Sequence, residues 1–217
     1  MTQSMFLKKG SIFALGIGAI GLSTTAFAHH PLGGMTPSSV AEGLLSGIGH
    51  PVIGLDHLAF IIAAGLLAWK LGKPLQLLAA FVATTVVGSL AVSFAGSFSF
   101  KEPLILLSVA LVGLLLIRRQ RLGNSVGILF YSLAGLLHGS AYGEAIVGAE
   151  MAPIFAYLIG FVAIQCVIAL AAAQLLRMAS KGNEQRLQYA RLTGAVVLGI
   201  AATYGFEIAE TAMFGQV

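Results

Sequence analysis

Charged residues are scarce in this 217-residue chain, where Asp, Glu, Lys and Arg together make up 9% of the sequence. A soluble domain carries about 25% of these residues, so this chain has too few to cover a surface that faces water. The single cysteine, Cys166, excludes a secreted domain held together by disulfide bonds. Hydrophobic residues are abundant instead, at 58% of the chain, and the mean hydropathy is +0.94. The composition excludes a soluble enzyme and a disordered tail, and it indicates an integral membrane protein.

The net charge of +4 does not by itself indicate a nucleic-acid partner. The basic residues stand in short clusters between apolar runs, which is how the orientation of a membrane protein is encoded. We therefore predict a lipid bilayer as a partner and no nucleic acid, and the oligomeric state is not readable from the sequence.

The first 28 residues have the three parts of a secretory signal peptide. Lys8 and Lys9 form the charged region, residues 12–22 form the apolar region, and Ala26-Phe27-Ala28 supplies the small-x-small cleavage pattern. We predict that residues 1–28 are removed and that residues 29–217 form a single transmembrane domain. The alternative is an uncleaved first transmembrane helix.

The remaining chain predicts an all-α fold, a polytopic helical bundle. A spanning helix needs about 20 mostly apolar residues, and six segments qualify as candidates: 51–70, 74–96, 102–118, 124–147, 152–176 and 192–213. A shorter external helix is predicted over 37–49, with Thr36 as its N-terminal cap and Pro37 at its first position.

The distribution of basic residues predicts that the mature N-terminus lies outside. With that orientation eleven of the twelve basic residues are cytoplasmic, and only Lys101 is external. The positive-inside rule and the signal peptide therefore predict the same topology in a bacterial-type cytoplasmic membrane. The eleven are Lys8, Lys9, Lys70, Lys73, Arg118, Arg119, Arg121, Arg177, Lys181, Arg186 and Arg191.

All five histidines and the single aspartate fall on the external side of this topology. His29 and His30 follow the cleavage site, and His50, Asp56 and His57 lie at the outer end of the first span. His138 and Glu144 lie in the outer part of the fourth span. At about 1.5 Å per residue, His57, His138 and Glu207 (in the sixth span) come to a comparable depth, on the order of 10 Å below the external boundary.

Ionisable groups at that depth usually face a bundle interior or a water-filled cavity. Clustered imidazoles and carboxylates, with no thiolate near them, favour a divalent transition metal such as Ni, Co, Cu, Zn or Fe(II) over Mg or Ca. We predict seven metal-binding residues: His29, His30, His50, Asp56, His57, His138 and Glu144. The alternative for His138 alone is a hydrogen-bonded packing residue, and for His29 and His30 a disordered polar end. Tyr142 is expected to be a packing or interface aromatic.

Two stretches resemble motifs of the HupE/UreJ family of nickel and cobalt permeases. His50-Pro51-Val52-Ile53-Gly54-Leu55-Asp56-His57 resembles the family signature HPxxGxDH. Residues 137–144, Leu-His-Gly-Ser-Ala-Tyr-Gly-Glu, resemble the second motif, FHGx[AV]HGxE. In this second motif Leu137 replaces Phe, Tyr142 replaces the second His, and Glu144 comes one position early.

The resemblance implies a permease for uptake of Ni²⁺ or Co²⁺, without a prosthetic cofactor and without catalysis. It does not choose between the two metals. Two other functions stay open at this point: a membrane-embedded Zn-dependent hydrolase assisted by Ser140 and Glu144, and a sensor or metal-binding accessory subunit of a larger transporter.

Overall fold

The structure is a computed structural model that describes residues 33–97, 100–118 and 122–215. All regular structure in these ranges is helical, so the predicted all-α class is confirmed. The predicted signal peptide, His29 and His30 lie outside the described residues. The helices are α1 (Val40–Ile53), α2 (Leu55–Lys70), α3 (Pro74–Ala95), α4 (Lys101–Ile117), α5 (Asn124–Gly143), a 3₁₀ turn (Glu144–Ile146), α6 (Met151–Ala179) and α7 (Asn183–Phe214).

The first helix differs from its prediction at both ends. It begins at Val40, and its N-cap is Ser39, whose side chain accepts a 3.2 Å hydrogen bond from the Glu42 amide. Thr36, the predicted cap, instead donates to the carbonyl of Val147 at 3.3 Å. The helix continues through Pro51 and breaks at Gly54, where α1 and α2 meet with an 80° bend. Gly54 suits this break because a Cβ there would lie 2.9 Å from Cδ2 of His57.

Helix α2 is the centre of the bundle, because it packs against α1, α3, α4, α6 and α7. Eleven of its sixteen residues are buried. Phe60, Ile61 and Leu67 are among the most completely buried side chains. Asp56 and His57, in the first turn of α2, are therefore carried on a helix that five others enclose.

The outer helices pack in pairs through glycine. In the α3–α5 pair, a Cβ at Gly139 would meet the backbone of Thr85, and one at Gly143 would meet the backbone of Ser89. In the α1–α6 pair, Gly43 and Gly47 lie in the same way against α6. Small residues four positions apart let helix backbones approach closely, which is a common packing mode inside membranes.

The two ends of the bundle differ in charge. At one end the ammonium group of Lys70 donates to the carbonyls of Leu115 and Leu116, both at 2.9 Å, and also to that of Arg118. The guanidinium of Arg186 lies 6.0 Å from the ring centroid of Trp69 at the same end. Lys101 lies at the opposite end. The positive-inside rule expects basic residues to collect at the cytoplasmic end of a bundle, and the end that holds Lys70 and Arg186 fits that description.

Three helices of the described residues, α3, α6 and α7, are individually long and apolar enough to cross a membrane. The bent pair α1–α2 passes the same test as one broken span, which makes up to four. Helix α4 has 17 residues, and α5 carries His, Tyr and Ser among its apolar residues, so neither reaches the same limit. The structure therefore supports a multi-pass membrane protein, and the number of six spans stays a prediction.

Candidate functional site

Four of the predicted metal-binding residues lie close together: three flank the break between α1 and α2, and the fourth faces them from α5. His50 is in the last turn of α1, Asp56 and His57 are in the first turn of α2, and His138 is on α5. All four are buried, and His138 has no exposed surface. We call His50, His57 and His138 the histidine cluster.

Two members of the cluster are in direct contact, since Nδ1 of His57 lies 3.0 Å from Nδ1 of His138. This contact places the two histidines at the same level of the bundle, and their depth below the external boundary stays a prediction. On its other side, Nε2 of His138 lies 2.9 Å from Oγ of Ser108 on α4. Ser108 in turn donates its proton to the carbonyl of Ile105 at 2.7 Å.

The direction of the hydrogen bonds that link His57, His138 and Ser108 follows from the single proton of the serine hydroxyl. Because Ser108 gives that proton to Ile105, its oxygen accepts from Nε2–H of His138. A neutral imidazole has one N–H and one lone pair, so Nδ1 of His138 accepts and Nδ1–H of His57 donates. The lone pair of His57 is therefore on Nε2, the atom that binds metals in many proteins.

The third histidine is oriented in the same way. Tyr157 on α6 donates its hydroxyl proton to the carbonyl of Tyr142 at 2.9 Å, at the end of α5. The Tyr157 oxygen lies 3.1 Å from Nδ1 of His50 and therefore accepts from it. This leaves the lone pair of His50 on Nε2, as in His57. The ring centroids of these two histidines are 6.4 Å apart.

Asp56 supplies the negative charge beside the cluster. Its carboxylate lies 3.9 Å from Nδ1 of His57, which is ion-pair range but too long for a hydrogen bond. The first turn of a helix favours a carboxylate because the amide groups there carry a partial positive charge. A divalent cation near His57 would gain from the same carboxylate.

Aromatic rings enclose the cluster. Tyr142 lies with its ring centroid 4.6 Å from that of His57 and 5.2 Å from that of His50. Phe60 lies 4.2 Å from His138 on the same measure. These rings limit the access of bulk solvent, which strengthens electrostatic interactions with a bound ion.

Glu144 is placed differently from the other predicted ligands. It begins the 3₁₀ turn after α5, and its carboxylate forms an ion pair with Lys101 at the start of α4. Within the described part of the chain, no three His, Cys, Asp or Glu side chains are arranged so that they could hold one metal ion in this conformation. The ligand set therefore stays a prediction.

Two hydrogen-bond partners of the cluster, Ser108 and Tyr157, and the enclosing ring of Tyr142 were not among the predicted site residues. Ser108 and Tyr157 lie seven and six residues from the starts of α4 and α6, which is about 10 Å along each helix. The depth argument that brought His57 and His138 together would have found both if it had included hydroxyl groups.

Comparisons with known proteins give one consistent result. The sequence pattern of the family described as HupE / UreJ protein matches residues 17–204. The chain is also similar to Protein HupE of Rhizobium leguminosarum bv. viciae, with 27% identity over 154 residues, which cover 70% of this chain and 76% of that protein. No solved structure matches.

Proposed function

The chain belongs to the HupE/UreJ family, and from this membership we propose that it is a membrane permease for uptake of a divalent transition metal, Ni²⁺ or Co²⁺. The family is of transporter type and is linked to nickel and cobalt. The proposal treats the metal as cargo and assigns the protein no catalytic step and no resident cofactor.

One observation carries the proposal: two buried histidines from opposite sides of a helix break have their Nε2 lone pairs fixed by hydrogen bonds at Nδ1. A metal-binding imidazole commonly donates its other N–H to a carboxylate, carbonyl or water, which fixes its orientation. Here His138 and Tyr157 receive these protons. Borderline divalent cations are the ions that imidazole nitrogen suits.

We propose that the cation is held mainly by His50, His57 and Asp56. In this scheme His138 orients His57 and becomes a ligand when their direct contact opens. Glu144 becomes available only if Lys101 releases it. A site for transport must bind weakly enough to release its cargo, and an incomplete ligand set supports that requirement.

The topology is part of the proposal. We propose six spans after removal of residues 1–28, with the mature N-terminus outside a bacterial-type cytoplasmic membrane. The charge difference between the two ends of the bundle supports this orientation. A membrane potential that is negative inside would then favour entry of the cation by about 2.3 kcal/mol per charge per 100 mV.

The test is accumulation of radioactive Ni²⁺ and Co²⁺, each supplied separately at low concentration to a bacterium that expresses the chain. We expect uptake of at least one metal by the wild type and its loss in His57→Ala and Asp56→Asn. Glu184→Gln is the matched control, since it changes an exposed residue of α7. Uptake by His57→Ala at the wild-type level, with equal expression, would refute the permease.

A separate test concerns the N-terminus. Cleavage after Ala28 would place a free amino group, of pKa near 8, beside His29 and His30, and an amine with imidazole can chelate a divalent cation. We expect the mass of the purified protein to match residues 29–217. An alanine inserted before His29 should reduce uptake at low metal, and unchanged uptake would exclude a capture role.

A further inference from the structure

Tyr142 is the residue that the histidine cluster surrounds. Its side chain is completely buried, and its ring centroid lies within 6.4 Å of those of all three histidines. Phe161 covers another side, with a ring-centroid distance of 4.6 Å. The residue therefore lies against both His50 and His57, two of the residues proposed to hold the cation.

The hydroxyl of Tyr142 is an exception to the rule that buried polar groups are hydrogen-bonded. Among the described residues, only this oxygen and Oε1 of Gln165 are buried side-chain polar atoms without a hydrogen-bond partner. The neighbouring Tyr131 and Tyr157 are just as buried, and both donate to a backbone carbonyl. The bundle can therefore satisfy a buried tyrosine, and it leaves Tyr142 unsatisfied.

An unsatisfied buried hydroxyl destabilises a fold relative to phenylalanine, which fills nearly the same volume without a polar atom. A chain that keeps tyrosine here gains nothing for the empty bundle. A group that enters beside His57 could supply the missing hydrogen-bond partner.

We propose that Tyr142 is a specificity-determining residue for the cargo: its hydroxyl oxygen accepts a hydrogen bond from a water molecule that the cation keeps while His50, His57 and Asp56 hold it. This inference rests on the proposed permease function and deepens it. A neutral phenol is a weak direct ligand, whereas water bound to a divalent cation is a strong hydrogen-bond donor. The site would thus favour cations that retain part of their water shell.

The test compares the wild type with Tyr142→Phe, Tyr142→His and the control Tyr131→Phe. Tyr131 is an equally buried tyrosine, but its hydroxyl donates to the carbonyl of Ala64 at 2.6 Å. Purified protein is titrated with Ni²⁺ and with Co²⁺, and thermal unfolding is recorded without metal. Uptake in cells gives the apparent KM for each metal.

We expect Tyr142→Phe to bind both cations about tenfold more weakly, the effect of losing one hydrogen bond at a charged site. We also expect its metal-free Tm to rise by about 2–4 °C, because the unsatisfied oxygen is gone. Tyr131→Phe should do the reverse, with a lower Tm and unchanged cation affinity. Tyr142→His adds a nitrogen donor, so the ratio of Ni²⁺ to Co²⁺ affinity should rise, as the order of divalent metal affinities predicts.

Two results would overturn the role of Tyr142 and leave the permease function standing. One is Tyr142→Phe protein that binds both cations as tightly as the wild type. The other is a Tm that falls as far in Tyr142→Phe as in Tyr131→Phe, since the hydroxyl would then have a structural partner. If the wild type neither binds nor takes up either metal, the permease function itself fails, and the assignment of Tyr142 fails with it.

Discussion

Replacing Ser108 with alanine removes one hydroxyl from α4, outside the proposed ligand set, yet we expect this change to weaken cation binding. The Ser108 oxygen is the hydrogen-bond acceptor for Nε2–H of His138, at 2.9 Å. Both groups are buried, so water cannot easily replace the lost partner. A buried donor left without an acceptor costs about 1–3 kcal/mol.

The metal-free variant can avoid most of that cost by reversing the hydrogen-bond chain. The His138 proton then moves to Nδ1 and is donated to Nδ1 of His57, which in turn carries its own proton on Nε2. In this form the lone pair of His57 faces His138 and is lost to the cation. Binding must restore the original form at a cost of about 1–3 kcal/mol.

That cost corresponds to an affinity about ten- to hundredfold weaker, the usual effect of removing a partner of a metal-binding histidine. The assay is titration of purified protein with Ni²⁺, together with ¹⁵N NMR of the histidine rings to identify which nitrogen is protonated. We expect His57 to be protonated on Nδ1 in the wild type and on Nε2 in Ser108→Ala.

Two matched variants complete the experiment. Ser108→Thr keeps the hydroxyl and should restore binding. Ser93→Ala removes a hydroxyl of α3 that donates to the Leu90 carbonyl at 2.9 Å, and it should leave binding unchanged. If Ser108→Ala keeps both the wild-type affinity and the wild-type protonation pattern, the hydrogen-bond direction deduced for the cluster is wrong.

Three further changes test other parts of the bundle. Gly139→Ala should lower the free energy of unfolding by about 1–3 kcal/mol, because the added methyl group meets the α3 backbone. Gly199 has open space around it, so Gly199→Ala should not destabilise the protein, and thermal unfolding in detergent compares the two variants. Tyr157→Phe removes the hydroxyl that accepts from His50 and donates to the Tyr142 carbonyl, so both the free energy of unfolding and the Ni²⁺ affinity should fall. A variant that retains both values would exclude Tyr157 from the site. Lys101→Met should raise uptake at low metal if its partner Glu144 can serve the cargo, and adding Glu144→Gln should cancel the gain; a double variant that keeps the gain would exclude this role.

The helical class and the shared level of His57 and His138 could be predicted from the sequence because both depend only on hydropathy and on position along a helix. Hydropathy predicts helices, and counting residues from a helix end gives depth, which brought His57 and His138 together. The count needs no knowledge of how the helices are rotated, and for that reason it brought these two histidines to the same level of the bundle.

The hydrogen-bond partners could not be predicted in the same way. Whether Ser108 or Tyr157 faces a histidine depends on the rotation of α4 and α6 about their axes, which glycine contacts between helix pairs fix. The helix cap at Ser39 in place of Thr36 shows the same difficulty on a local scale, since three nearby hydroxyls suit the position. Glu144 is a third case, because its pairing with Lys101 joins the 3₁₀ turn after α5 to the start of α4, two elements that are distant in sequence.

The glycine contacts also have a consequence for movement. Helices whose backbones touch cannot slide along each other without steric clashes. Gly65 brings α2 against the backbone of Ala169 in α6, so α3 with α5, and α1 and α2 with α6, should each move as one rigid body. The histidine cluster takes His138 from the first body and both His50 and His57 from the second. A cation that draws these rings together would pull on both bodies at once. Closure around the ion should therefore be a shear of the α3–α5 pair against α1, α2 and α6, with the ion itself as the link between the two groups.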